Sequence, residues 1–127
     1  MRQCDAWEKS GAVVIPRPLR YPRSWPVDPP EEKGIDVQIA IDMVTMASSD
    51  DLDVAILVST DTDLRPVLEA FFLLPFEEPK TVEVAAWRSP GFRKDLRVPG
   101  RHVWCHYLEE DDYRRVCDTR DYNVRRR

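Results

Sequence analysis

Apolar positions along the chain fall into a few distinct rhythms, and each rhythm predicts an element. Val54–Val58 is an unbroken apolar run between polar Asp53 and Ser59-Thr60. A short continuous run of this kind fits a strand buried on both faces, as in the middle of a parallel sheet. Upstream, Ile35, Ile39, Met43 and Met46 form one stripe at helical spacing, and Val37, Ala40, Ile41, Val44 and Ala47 widen it almost all the way round. The pattern predicts a helix over residues 33–48 that is buried on most sides. Downstream, Leu64, Val67, Leu68, Phe71 and Phe72 predict a helix over residues 62–74, with Pro66 tolerated in its first turn and Pro75 ending it. Residues 81–87 and 102–108 predict two further strands, the second at a sheet edge, and residues 109–118 a short amphipathic helix. Ahead of these lie a helical stretch over residues 1–10, closed by Gly11, and a short β-branched strand over residues 12–15. Strand, helix, strand, helix, strand predicts an α/β fold with a mostly parallel sheet and right-handed crossovers, in one domain over residues 1–127 with its core in 11–118.

Between these elements, residues 16–32 hold six of the eleven prolines and form a stiff, extended connection. Arg17, Arg20 and Arg23 alternate there with Tyr21 and Trp25. Guanidinium groups among aromatic rings suit single-stranded nucleic acid, with charge for phosphates and flat faces for bases. The same residues also fit an ordinary surface loop with solvated arginines. A second basic patch gathers Arg88, Arg93, Lys94, Arg97 and Arg101, and residues 119–127 make a basic tail ending in three arginines.

Composition narrows the function classes. At 127 residues the chain is long enough to bury a core without staples, and its net charge of −4 means that any nucleic acid must be met by a local patch. Three scattered cysteines, Cys4, Cys105 and Cys117, point to free thiols in a reducing cytoplasm. No apolar stretch approaches the ~18 residues that cross a bilayer. His102, Cys105 and His106 do not make a zinc site, because strand alternation puts Cys105 on the face opposite the histidines and no fourth ligand is in sight. A glycine-rich phosphate loop and a nucleophilic triad are both missing from the pattern.

The candidate chemistry lies in the aspartates. Asp61 and Asp63 follow the Val54–Val58 run at the carboxyl end of its strand, where open α/β sheets place their ligands. Asp36 opens the preceding helix and is expected at the same edge; Asp42 lies in that helix about 9 Å further along its axis. Capping of the next helix explains one of the two aspartates Asp61 and Asp63, and the helix dipole alone accounts for Asp36. Three or four carboxylates meeting at one edge repel one another unless a cation lies between them, and hard oxygen ligands select Mg²⁺ or Mn²⁺. Such ions commonly activate water for attack on a phosphodiester.

At these residues the chain resembles a known family. KGIDVQIAIDMV followed by DVAILVSTDTDLRPVLEA is similar to the NYN domain of the PIN-like nuclease superfamily, seen also in LabA-type bacterial proteins. The resemblance implies a Rossmann-like three-layer α/β/α fold and a Mg²⁺- or Mn²⁺-dependent ribonuclease acting on RNA in the cytoplasm. It implies catalytic and metal-binding roles for Asp36, Asp61 and Asp63, a weaker metal role for Asp42, and RNA contacts from Arg17, Arg20, Arg23 and Lys33. NYN domains open with a strand that carries an aspartate and usually an asparagine. Nothing before Gly11 matches it, since Asp5 stands in a helical stretch. The fold is therefore expected to be N-terminally truncated, with a sheet edge open to a second chain and hence to a homodimer. The alternative is a non-catalytic NYN-like module that binds RNA or protein; a phosphatase or a phospho-acceptor domain stands behind both.

Overall fold

The computed structural model describes residues 2–122; the arginines at the end of the basic tail lie outside the described residues. The chain gathers into two compact units, residues 36–116 and a second made of the N-terminal residues up to Ile35 with the C-terminal residues from Cys117.

In the N-terminal unit, helix α1 (Arg2–Lys9) ends as its pattern predicts: Gly11 takes φ 97° and its N–H donates to the carbonyl of Glu8 at 3.0 Å. The strand expected over residues 12–15 does not form, and Val13 is 89% exposed. β-branched residues favour extended backbone, but a strand needs a neighbour to complete its ladder, and these residues have none. Among the described residues of this unit, the pairing is a single bridge between Arg20 and Glu31.

The larger unit carries helix α2 (Ile35–Ala47), strand β1 (Val54–Val58), a 3₁₀ turn (Thr62–Leu64) running into helix α3 (Arg65–Phe71), strands β2 (Thr81–Ser89), β3 (Phe92–Arg93) and β4 (Trp104–Leu108), and helix α4 (Glu110–Val116). This is a mixed α/β architecture on a four-stranded, mostly parallel sheet. Glu83, Val84 and Ala85 of β2 pair in parallel with β1 and also with β4, so β2 is central and the other two flank it. β3 turns back antiparallel on the last residues of β2.

The burial of β1 differs from expectation. Leu57 is buried, yet Val54, Ile56 and Val58 are 44%, 52% and 64% exposed. The strand is an edge, and its helices pack on one face only. β2 is the strand buried from both sides, with Val82, Val84 and Ala86 facing the core and Ala85 covered on the other face. Against that core lie Leu64, Val67, Leu68 and Phe71 from the second half of the unit, Met43 and Ala47 from α2, and Leu96 and Val98 from the loop before β4. α2 is likewise one-sided rather than buried nearly all round: Val37, Ile41 and Met46 are exposed. Lys80, next to the start of β2, ties the end of α2 down by donating to the carbonyls of Ala47 at 2.9 Å and Ser49 at 2.5 Å, groups a helix terminus leaves open. α3 stops at Phe71, three residues short of the expected end, because Pro75 disfavours helical backbone at Leu74 and the last turn unwinds.

Leu68→Ala, at a side chain with no exposed surface, is expected to lower unfolding stability by about 2–5 kcal/mol. Val37→Ala on the open face of α2 is expected to change it by less than about 1 kcal/mol. Urea denaturation followed by circular dichroism reads both.

Candidate active site

The acidic turn is built directly on the sheet. β1 ends at Val58, and Ser59 extends its ladder by one bond, N–H to the carbonyl of Ala85 at 3.1 Å. The chain then folds over itself. Ser59 Oγ accepts from the Asp61 N–H at 3.0 Å, and Asp61 Oδ1 accepts from the Asp63 N–H at 2.9 Å. Asp61, with extended backbone at φ −76° and ψ 120°, is thus the N-cap of the Thr62–Leu64 turn. Capping accounts for one oxygen of Asp61 and leaves Asp63 without such a role. Both side chains are exposed, and among the described residues neither is ion-paired.

Asp36 lies in the first turn of α2, at the end of the helix away from its short connection to β1. A groove of about 310 Å³ lies between Ile39, Asp42, Met43 and Met46 on the helix and the body of β1. Thirteen helical residues rise about 20 Å and five strand residues about 17 Å, so a helix laid antiparallel along β1 would bring Asp36 to the height of the last residue of β1. Asp42 stands lower, half-buried beside the middle of β1, and its Oδ1 accepts from Gln38 Nε2 at 2.7 Å. Among the described residues no three His, Cys, Asp or Glu side chains are gathered closely enough to hold a metal ion. Asp61 and Asp63 therefore share one turn, and Asp36 does not join them in a three-residue cluster.

Two exposed carboxylates with no ion-pair partner among the described residues could hold a hard cation such as Mg²⁺ or Mn²⁺, since Mg²⁺ commonly keeps several waters and takes only one or two carboxylates from the protein. Nucleophilic thiol chemistry is disfavoured at Cys105: burial first, then the charge of Asp95, push its thiol above the ordinary value, so it stays protonated near neutrality. Tyr107 donates to Asp95 at 3.1 Å, and that bond raises the phenol as well.

The residues expected at RNA lie in the N-terminal unit. Arg17, Arg20 and Arg23 are exposed on the proline-rich loop, which is cinched where Arg20 and Glu31 exchange backbone bonds of 2.8 and 3.0 Å. Tyr21 and Trp25 meet edge to face at 5.2 Å, both more than half exposed, so the loop displays rings beside guanidinium groups. Lys33 is held 3.1 Å from Glu31. The sequence reading missed a contact between Glu83 and His106 at 2.6 Å on the outer sheet face, and one between Trp87 and Tyr113 at the carboxyl edge. Strand alternation marks Glu83, Trp87 and His106 singly, but their meetings with one another and with Tyr113 of α4 rest on register and packing.

Asp61→Asn keeps a capping oxygen and is expected to leave stability within about 0.5 kcal/mol of native, whereas Asp61→Ala is expected to cost about 1 kcal/mol. Thermal unfolding of the two variants side by side measures the difference.

A family model described as NYN domain matches residues 8–98, more than half of the chain. No curated protein and no solved structure matches it.

Proposed function

The chain belongs to the NYN domain family, within the PIN-like nuclease superfamily, and from that premise we propose that it is a ribonuclease dependent on Mg²⁺ or Mn²⁺ that hydrolyses phosphodiester bonds of single-stranded RNA. The family by itself makes the domain nuclease-type and RNA-related. The observation that carries the finer reading is the pair Asp61 and Asp63, exposed and without an ion-pair partner among the described residues where β1 ends. These two carboxylates would hold the ion, with Asp36 contributing from the first turn of α2. A bound divalent ion supplies an activated water and neutralises charge on the scissile phosphate. Asp36, as the more remote acid, orients the attacking water and accepts its proton. Asp42, bonded to Gln38, acts at most on the placement of α2 rather than at the reacting atoms. Arg17, Arg20, Arg23 and Lys33 hold phosphates along the strand, and the rings among them receive bases. In this reading the architecture is a Rossmann-like three-layer α/β/α fold, with α2 and α3 in one outer layer and α4 in the other.

A second reading is a non-catalytic module that binds RNA or protein. It is favoured by the lack of a three-carboxylate cluster among the described residues. The edge of β1 away from β2 suits strand addition by a second copy, which sedimentation equilibrium over a concentration series detects.

Incubation of a labelled single-stranded RNA with the protein and Mn²⁺ is expected to give cleavage that EDTA abolishes and that Asp61→Asn or Asp63→Asn lowers by roughly 100-fold or more. Cleavage unaffected by these variants, or no cleavage by folded native protein, sinks the ribonuclease. Replacing Arg17 and Arg20 together by Ala is expected to weaken RNA binding and to flatten its log–log salt dependence by about 1.4, as loss of two single-strand phosphate contacts requires.

A further inference from the structure

A cavity of about 700 Å³ opens at the carboxyl ends of β2 and β4, outside the acidic turn. Trp87, from the end of β2, and Tyr113, from α4, form its walls, with ring centroids 6.4 Å apart and planes at 70°. Trp87 is 47% exposed and Tyr113 57% exposed, so ring surface remains open beyond their mutual contact. Because the rings meet edge to face, each keeps a face on which a third flat group can stack. Arg88, Arg93, Glu109 and Glu110 also line the cavity. Arg88 is held with its guanidinium carbon 5.3 Å from the ring of Tyr107, and Glu110 accepts from Arg114 at 2.6 Å.

The lining mixes guanidinium groups with carboxylates, with Glu110 already paired to Arg114 and Arg88 held on Tyr107, so what the cavity offers a ligand is chiefly aromatic surface. A flat, uncharged ring that carries both donors and acceptors gains stacking from the aromatic walls and hydrogen bonds from both kinds of charged group. That description is a nucleobase. The location matches: Trp87 stands two residues beyond Ala85, whose carbonyl accepts from Ser59 at the start of the acidic turn, which is about 7 Å along the strand.

We propose that this cavity binds one unstacked base of a single-stranded RNA, held on Trp87 and Tyr113, and so sets the position of the strand over Asp61 and Asp63. The choice of RNA rests on the ribonuclease reading; the binding step itself needs neither metal nor cleavage.

The test is fluorescence anisotropy of an end-labelled single-stranded oligoribonucleotide with the full chain, in EDTA. Trp87→Leu and Tyr113→Ser are each expected to weaken binding about tenfold without changing its salt dependence, because a stacked base is lost and no phosphate contact. Trp87→Phe restores most of the affinity. Trp104→Leu, at a ring 57% exposed on the same sheet face but away from the cavity, leaves it unchanged. An oligomer of ribose phosphates without bases is expected to bind native and Trp87→Leu protein equally. Native-like binding by both Trp87→Leu and Tyr113→Ser overturns the proposal, as does an equal loss in Trp104→Leu or the absence of measurable RNA binding by native protein. Base-dependent binding without Mn²⁺-dependent cleavage removes the ribonuclease and leaves the cavity's role standing. Cleavage by a protein whose RNA binding ignores Trp87 and Tyr113 does the reverse.

Discussion

Register in the β1–β2 ladder decides what stands at the carboxyl edge. Five parallel pairs, from Val54 with Thr81 to Val58 with Ala85, fix the height at which β1 stops. A slip of one residue turns Leu57 out of the core and drives Val54, Ile56 and Val58 into it against α3, so packing on one face locks the pairing. With β1 fixed, the Ser59 bond to Ala85 fixes the start of the acidic turn, and Asp61 and Asp63 can emerge nowhere else. The same central strand pairs with β4 two residues further on and brings Trp87 level with Leu108, just before α4 begins. The acidic turn and the aromatic cavity are thus two products of one ladder.

At the turn a single residue serves structure and chemistry together. Asp61 caps the 3₁₀ segment with one oxygen, which orders the backbone that carries Asp63. A carboxylate already held by a backbone N–H loses little freedom on meeting a cation, and this preorganisation favours a site on a short turn over one on a mobile loop. Both carboxylates are exposed, so a substrate as large as the proposed RNA strand would have access to them.

Much of the fold is readable from periodicity. The stripes of α2 and α3 and the apolar runs of β1, β2 and β4 each carry their own signal over five residues or more, and they stand where the pattern predicts. What failed were the readings that need a particular neighbour to pair with or cover the residues. Residues 12–15 have strand composition but no partner. The apolar run of β1 reads as doubly buried, whereas half of it faces outward; an apolar run reports a preference for burial and cannot say whether a covering layer is present. The β3 hairpin is too short to have a period at all. At the site, Asp61 and Asp63 stand out because they are close in sequence and follow a strand. The meeting of Trp87 with Tyr113 depends on the register of β2 with β4, which no local pattern contains.

In the proposed ribonuclease, Asp61 and Asp63 hold one divalent cation with a contribution from Asp36. Titration of ¹⁵N-labelled protein with Mn²⁺ reads this out, because the paramagnetic ion broadens amide signals in its vicinity. The first signals to broaden are expected to be those of residues 59–65, followed by the first turn of α2, and Asp61→Asn with Asp63→Asn is expected to abolish both. Broadening that begins at the acidic residues of α4, or that spreads evenly over the surface, would contradict it.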